Sequence, residues 1–400
     1  MLDSRWAPRV AAVVLAIALV VVIVTTTPWH LIDLPTPDPA HDFTSAEIAR
    51  QQAFRSELLP WSTTSWVLTV VVPLVIGFSP LGRRLYDALR INRWYVAVPL
   101  LIAGLGLLTS VITLPTDILA EQVTRKYGLS VQGWGLWARD RAVNWLLVAL
   151  AMAVIAVCLM GLAKRRQRTW WLPAAIVTAL LVLGISFAYP VLVEPRFNHF
   201  TSMPAGTQRD EFLKLAAEDG VPVKDVLVAD ASRRTTALNA YVSGFGSTRR
   251  LVVYDTLLKQ PPAQTRLVVA HELGHAAEDD VLHGTLIGVL GAAFGIVLLG
   301  ALLGARMADP RRTAALLALI AIGTTVSAPV QNLVSRRIEA RADYHSLRLT
   351  NDPQDFIAMQ HDLAVTNISG LTPSRWRYWM FASHPTPPER IAMGRAWADR

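Results

Sequence analysis

The sequence predicts an all-α multi-span membrane protein of seven transmembrane helices, carrying a small α+β cap. Three observations predict it. The 400 residues are 52% hydrophobic and only 17% charged, too apolar for an ordinary soluble domain. The apolar residues gather into seven long runs, each near the ~20 residues that cross a bilayer as a helix. Between the fifth and sixth runs, and again after the seventh, the composition turns to that of a soluble domain.

The runs follow in order. Val10–Thr27 has Arg5 and Arg9 ahead of it, and Thr25-Thr26-Thr27-Pro28-Trp29 in place of a small-x-small cleavage site, so it reads as a retained signal anchor. Residues 28–63 carry Pro, Asp and Thr and predict a loop with a short helix at Ser45–Leu58. Thr64–Leu81 and Trp94–Leu114 are the second and third runs. Loop 115–141 holds Trp134 and Trp137, with Trp145 just beyond. Aromatics so placed anchor helix ends at headgroup level, a better reading here than a substrate cage. Ala142–Ala163 and Trp170–Tyr189 complete an N-terminal membrane region of five helices, residues 1–190. Residues 191–400 then hold the cap and two further spans, Gly284–Gly304 and Thr313–Val330. One such run alone could be a buried core helix; seven in one chain argue for a membrane. No internal repeat or low-complexity tract interrupts the pattern.

Within the cap, Thr207–Glu218 predicts a helix with a capping-type start at Thr207 and Asp210. Val226–Ala229 is a short apolar strand. Asn239–Phe245 and Leu251–Tyr254 predict two more, joined as a hairpin through Gly246-Ser247-Thr248. Pro261-Pro262 opens a helix that runs through His271 and His275. Ser335–Leu349 predicts a helix, Asn351-Asp352-Pro353 starts another, and a last one follows Pro387-Pro388.

The net charge is +8, yet it has a simpler home than nucleic acid, which is excluded as a partner. Short loops carry Arg83, Arg84, Arg90 and Arg93, then Lys164, Arg165, Arg166 and Arg168, then Arg306, Arg311 and Arg312. They share one side with the N-terminus, and the positive-inside rule makes that side cytoplasmic. By parity the segment after the fifth helix and the C-terminal tail are expected outside the cell membrane. Arg125, Lys126, Arg139 and Arg141 in loop 115–141 run against this asymmetry. The lone cysteine, Cys158, lies inside the fourth run, which excludes an intrachain disulfide and a cysteine metal site. Nothing in the sequence bears on oligomeric state.

The chemistry lies in His271-Glu272-Leu273-Gly274-His275 and Glu339-Ala340-Arg341-Ala342-Asp343. Two histidines four apart project from one helical face and can grip one ion. Glu272, beside a ligand, can take a proton from a water that zinc acidifies and return it to the leaving amine. The third ligand comes from elsewhere. Val281 stands where a metzincin has its third histidine and Glu278 where it has its glycine, which excludes that class. Asp279 would place three ligands in a row along about 12 Å of one straight helix, too far for one ion. Glu339, on a separate helix, is the better candidate, which makes one Zn2+ per chain with an open fourth position. Asp343, one turn on, could accept the remaining ring N–H of a ligand histidine; the competing reading pairs it with Arg336, Arg337 or Arg341. His384 on these grounds alone reads as a loop histidine. His199, His283, His345 and His361 read as structural.

These motifs, with Ser383-His384-Pro385-Thr386-Pro387-Pro388-Glu389-Arg390-Ile391 at the end of the chain, resemble the integral-membrane zinc endopeptidases typified by the type 1 CAAX prenyl protease, peptidase family M48. They resemble the bacterial heat-shock membrane protease of the same clan less closely. Lys126–Ser130 with Trp137–Asp140, Glu194–Phe200, and Asp230–Arg234 through Asn239-Ala240-Tyr241 to Asp255–Leu258 support the comparison. The resemblance covers most of residues 94–400; residues 1–93 match only as two spans. It implies helices around an intramembrane chamber, a metal under a zincin-like catalytic cap, and substrate added as a strand along Asn239, Ala240 and Tyr241. It implies a role for His384 in transition-state stabilisation and a supporting one for Arg390. The prenyl protease acts at the cytosolic face, whereas the charge count places this site outside. The expected partners are the lipid bilayer and a peptide or protein substrate, either a prenylated CAAX peptide or an unprenylated membrane or misfolded protein. The alternative class is a non-enzymatic membrane protein with a structural zinc, which would normally close with four protein ligands.

Overall fold

The computed structural model describes residues 6–244 and 249–400. The expected Gly246-Ser247-Thr248 turn, Phe245 and Arg5 lie outside the described residues. The helices are α1 (Ala7–Thr26), α2 (Pro39–Asp42), α3 (Ser45–Phe78), α4 (Leu81–Ala88), α5 (Trp94–Lys126), α6 (Trp134–Arg165) and α7 (Trp171–Leu192), then α8 (Thr207–Glu218), α9 (Pro262–Ala277), α10 (Asp280–Leu303), α11 (Thr313–Thr350), α12 (Pro353–Thr366), α13 (Arg375–Phe381) and α14 (Pro387–Ala398). Seven are long and apolar enough to cross a membrane: α1, α3, α5, α6, α7, α10 and α11. Their outward faces are apolar, as along α1 at Val10, Val14, Ile17, Val21 and Val24, which suits lipid rather than water.

Four of these helices run longer than the apolar runs predict, α6 by starting at Trp134 instead of Ala142. The short helix expected at Ser45–Leu58 is the first part of α3, which continues for 34 residues through Pro60 and Pro73. A capping box fixes its start, with the Thr44 hydroxyl accepting from the Glu47 N–H and Glu47 accepting from Thr44. Loop 115–141 shrinks because α5 passes Pro115 and ends at Lys126. The seventh span and the expected Ser335–Leu349 helix are one 38-residue helix, α11, running through Pro329. A helix of that length extends about 57 Å, so α11 clears the bilayer and enters the cap. The capping start expected at Thr207 is absent: Gly206 occupies the cap position, with no side-chain hydrogen bond.

The strands β1 (Phe200–Ser202), β2 (Val226–Ala229), β3 (Ala240–Ser243) and β4 (Arg250–Tyr254) form one sheet in the order β1-β2-β4-β3. β2 and β4 are parallel, and both outer pairs are antiparallel. β3 is therefore an edge strand. Its register with β4, Ala240 opposite Val253 and Ser243 opposite Arg250, suits the expected hairpin. Phe212, Leu251, Val253, Leu267, Val269, Leu273, Leu347 and Phe356 form the core between the sheet and α8, α9, α11 and α12.

The cap rests on one end of the helical bundle. Arg234 pairs with Asp140 on α6 at 2.9 Å, Ser130 bridges to Thr235, and the His361 ring stacks on Phe43 at 5.1 Å. At the opposite end, Trp170 donates to the Gly304 carbonyl at 2.9 Å and Arg311 pairs with Asp87 at 2.7 Å. The bundle end bearing the basic short loops is therefore the end away from the cap.

Candidate active site and metal centre

α9 carries His271, Glu272 and His275 beneath the sheet, and α11 crosses beside it. The approach is close because residue 274 is glycine: a Cβ there would stand 2.9 Å from the Cβ of His345 on α11. Ser346 locks the crossing by donating to the Leu267 carbonyl at 2.9 Å. This crossing puts Glu339 against both histidines, with Oε2 3.3 Å from His271 Nε2 and Oε1 3.6 Å from His275 Nε2. The two Nε2 atoms are 3.2 Å apart. One donor atom from each of His271, His275 and Glu339 lies within 4.8 Å of the others.

The far side of each ring is held by a carboxylate. Asp343 Oδ1 is 2.9 Å from His271 Nδ1, and Asp280 Oδ2 is 2.9 Å from His275 Nδ1. Asp343 is fully buried and receives Arg390 on both oxygens, at 2.7 and 2.5 Å, and Gln360 at 3.3 Å. It does not pair with Arg336, Arg337 or Arg341. Arg341 instead binds Asp280 and, at 3.1 Å, Glu278. Asp280 has no counterpart in the sequence reading. It reaches back because Asp279 takes the left-handed region, φ +52°, a conformation aspartate tolerates. The chain therefore turns sharply between α9 and α10.

The donor set fits a divalent cation. Two imidazole nitrogens and a carboxylate converge, and Oε2 of Glu339 is buried with no hydrogen bond among the described residues beyond its ion-pair contacts with the histidines. Burial opposes charge on His275, but the Asp280 and Glu339 carboxylates that accept from its ring outweigh it and carry its pKa to about 10. Burial likewise opposes charge on His271, and Asp343 and Glu339 reverse the effect and raise it. Glu272 is pushed above the usual carboxylate range by burial, with both histidines pulling the other way. His384, half exposed in a loop, stands with Nε2 3.2 Å from Glu339 Oε2.

Two cavities meet here, and both are lined by His271, Glu272, His384 and Asn239. One, of about 420 Å³, follows β3 along Ala240, Tyr241 and Val242. The other, of about 760 Å³, extends the opposite way past Ala237 and includes Arg390. Tyr241 is tied by its hydroxyl to Glu194 at 3.3 Å, whereas the Asn239 side chain is exposed. His345, read as structural, holds Asp219 at 2.8 Å.

Residues 204–398 match the model of peptidase family M48, and residues 37–199 match that of the CAAX prenyl protease N-terminal region of five membrane helices. The chain belongs to peptidase family M48. It is an integral-membrane zinc metalloendopeptidase of the CAAX prenyl protease type. It is 29% identical over 339 residues to the uncharacterized metalloprotease YhfN of Bacillus subtilis (strain 168), covering 82% of this chain and 79% of that one. It is also 29% identical to a CAAX prenyl protease 1 homolog of Oryza sativa subsp. japonica, covering 73% and 71% of the two chains. The crystal structure of S. mikatae Ste24p shares the fold, with a TM-score of 0.75 over 96% of this chain and 97% of that one, at 19% identity.

Proposed function

We propose that His271, His275 and Glu339 hold one Zn2+ and that Glu272 is the general base of peptide hydrolysis. The observation that carries this reading is the convergence of the three donor atoms within 4.8 Å, with Glu272 on the wall of both adjoining cavities. When bound, zinc supplies Lewis acidity, acidifying a water and polarising the scissile carbonyl. Glu272 takes the proton of the attacking water and delivers it to the departing amine, so a peptide bond and a water become an acid and an amine. His384 donates from Nε2 to the oxygen of the tetrahedral intermediate. Arg390 acts through Asp343, which holds the His271 ring in position. The substrate lies as an added strand along the β3 edge, with Asn239 on its backbone.

The catalytic face is outside the cell membrane on the charge count of the short loops, and no sequence feature requires a prenylated substrate. The test is cleavage of a farnesylated CAAX peptide and its unprenylated twin by detergent-solubilised protein, with Glu272→Gln as the blank. Glu272→Gln is expected to keep stoichiometric zinc and lose activity by about 10²–10⁴-fold; cleavage at the wild-type rate would overturn the assignment. Preference for the farnesylated peptide would assign prenyl-protein processing, and equal cleavage a broader membrane-protein role.

A further inference from the structure

The larger cavity contains two arginines for which the chemistry above has no use. Arg55, on α3, makes no ion pair or hydrogen bond among the described residues. Its guanidinium is packed against the backbone at Gly370, where a Cβ would stand 2.6 Å from Nη1, so the wall is shaped around it. Arg377, on α13, donates from Nη1 to the Thr63 hydroxyl at 2.8 Å, but its Nε is buried with no partner. Burial and the neighbouring charge of Arg55 both press its pKa down. Two partly buried guanidinium groups that line one cavity, one of them backed by the Trp376 and Phe381 rings and neither paired with a carboxylate, are costly unless an anion joins them. Both line the cavity that also holds His271, Glu272 and His384.

Direction identifies the anion. The smaller cavity follows β3 from Asn239 toward Gly244, and the larger one begins at Asn239 and leads away past Ala237. A peptide adding antiparallel to β3 enters at the Gly244 end. Its residues beyond the scissile bond then pass Asn239 into the cavity of the two arginines. A planar carboxylate is the group that guanidinium forks match best. We infer that Arg55 and Arg377 bind the α-carboxylate of the substrate's C-terminus, so that the enzyme measures its cut from the end of the chain. This rests on the proposed site and adds a specificity determinant to it.

Binding to the inactive Glu272→Gln protein separates the two ideas. The probes are the farnesylated CAAX peptide as free acid and as C-terminal carboxamide, which share every side chain. The free acid is expected to bind about tenfold or more tightly, and Arg55→Gln or Arg377→Gln should bring the ratio close to one. Zinc content of each variant checks its fold, and should Arg55→Gln fail to fold, the parent ratio and Arg377→Gln still decide. Equal binding of acid and amide overturns the inference, as does a preference that survives both substitutions. Retained acid preference with no cleavage by the wild-type protein would fault the proposed hydrolysis and leave the carboxylate site standing.

Discussion

Asp343 and Asp280 each occupy the ring nitrogen that His271 and His275 turn away from the metal position, at 2.9 Å in both cases. Each fixes a tautomer and a ring plane, so Asp343→Asn or Asp280→Asn is expected to weaken zinc binding about 10–100-fold. Competition with a chelating dye measures it, and unchanged affinity would remove these residues from the metal's support. The same contacts set a pH dependence. Without the ion, both histidine pKa values lie above the ordinary value, that of His275 near 10. Zinc must therefore displace protons at neutral pH. Affinity should rise from pH 6 to pH 8, with proton release visible by calorimetry in buffers of different ionisation enthalpy. Affinity that is flat across this range would contradict the protonated ion-free state. Helical spacing alone pairs His271 with His275 on one face and Glu339 with Asp343 on another, and Glu272 follows from its place beside a ligand; the meeting of the two helices is a matter of packing that spacing does not encode. Asp280 was not legible in the sequence, because its role depends on the left-handed turn at Asp279, which no periodicity signals.

Among the elements, the crossing of α9 and α11 decides whether the ligands meet. Gly274→Ala would drive a methyl group into His345. The expected cost is about 1–3 kcal/mol, as for other overpacked cores, with weaker zinc binding as Glu339 moves away from the histidines. Thermal unfolding with and without chelator tests this; a variant as stable and as well metallated as the parent would mean the helices separate freely. The lengths of α3, α5 and α11 were hidden in the sequence for one reason. The extra turns carry charged and polar residues, so the apolar pattern that marks a span ends before the helix does, and Pro60, Pro115 and Pro329 lie inside these helices although proline removes a backbone donor. In membrane helices packed against neighbours that loss is tolerated. The edge position of β3 was likewise hidden, since strand order depends on the parallel β2–β4 pairing, whereas its residues were legible as a strand.

At the scale of the whole molecule, the cap and the basic short loops lie at opposite ends of the bundle. If the positive-inside rule holds, a cysteine at Ala398→Cys in a Cys158→Ala background should react with a membrane-impermeant maleimide in intact cells, and one at Arg83→Cys only after lysis. The reverse pattern would place the catalytic face in the cytosol and favour prenylated substrates. Helix α11 carries a consequence of its own. It is continuous from the bilayer to Glu339, which stands nine residues, or about 14 Å, past Val330. The Glu339 carboxylate is thus mounted on a helix whose other half lies in lipid and whose near half is clamped to α9. A tilt of a few degrees, of the kind set by a thicker or thinner bilayer, sweeps the carboxylate by about 1 Å, a displacement large enough to alter turnover strongly. Turnover is therefore expected to differ between bilayers of different thickness, an effect transmitted through α11.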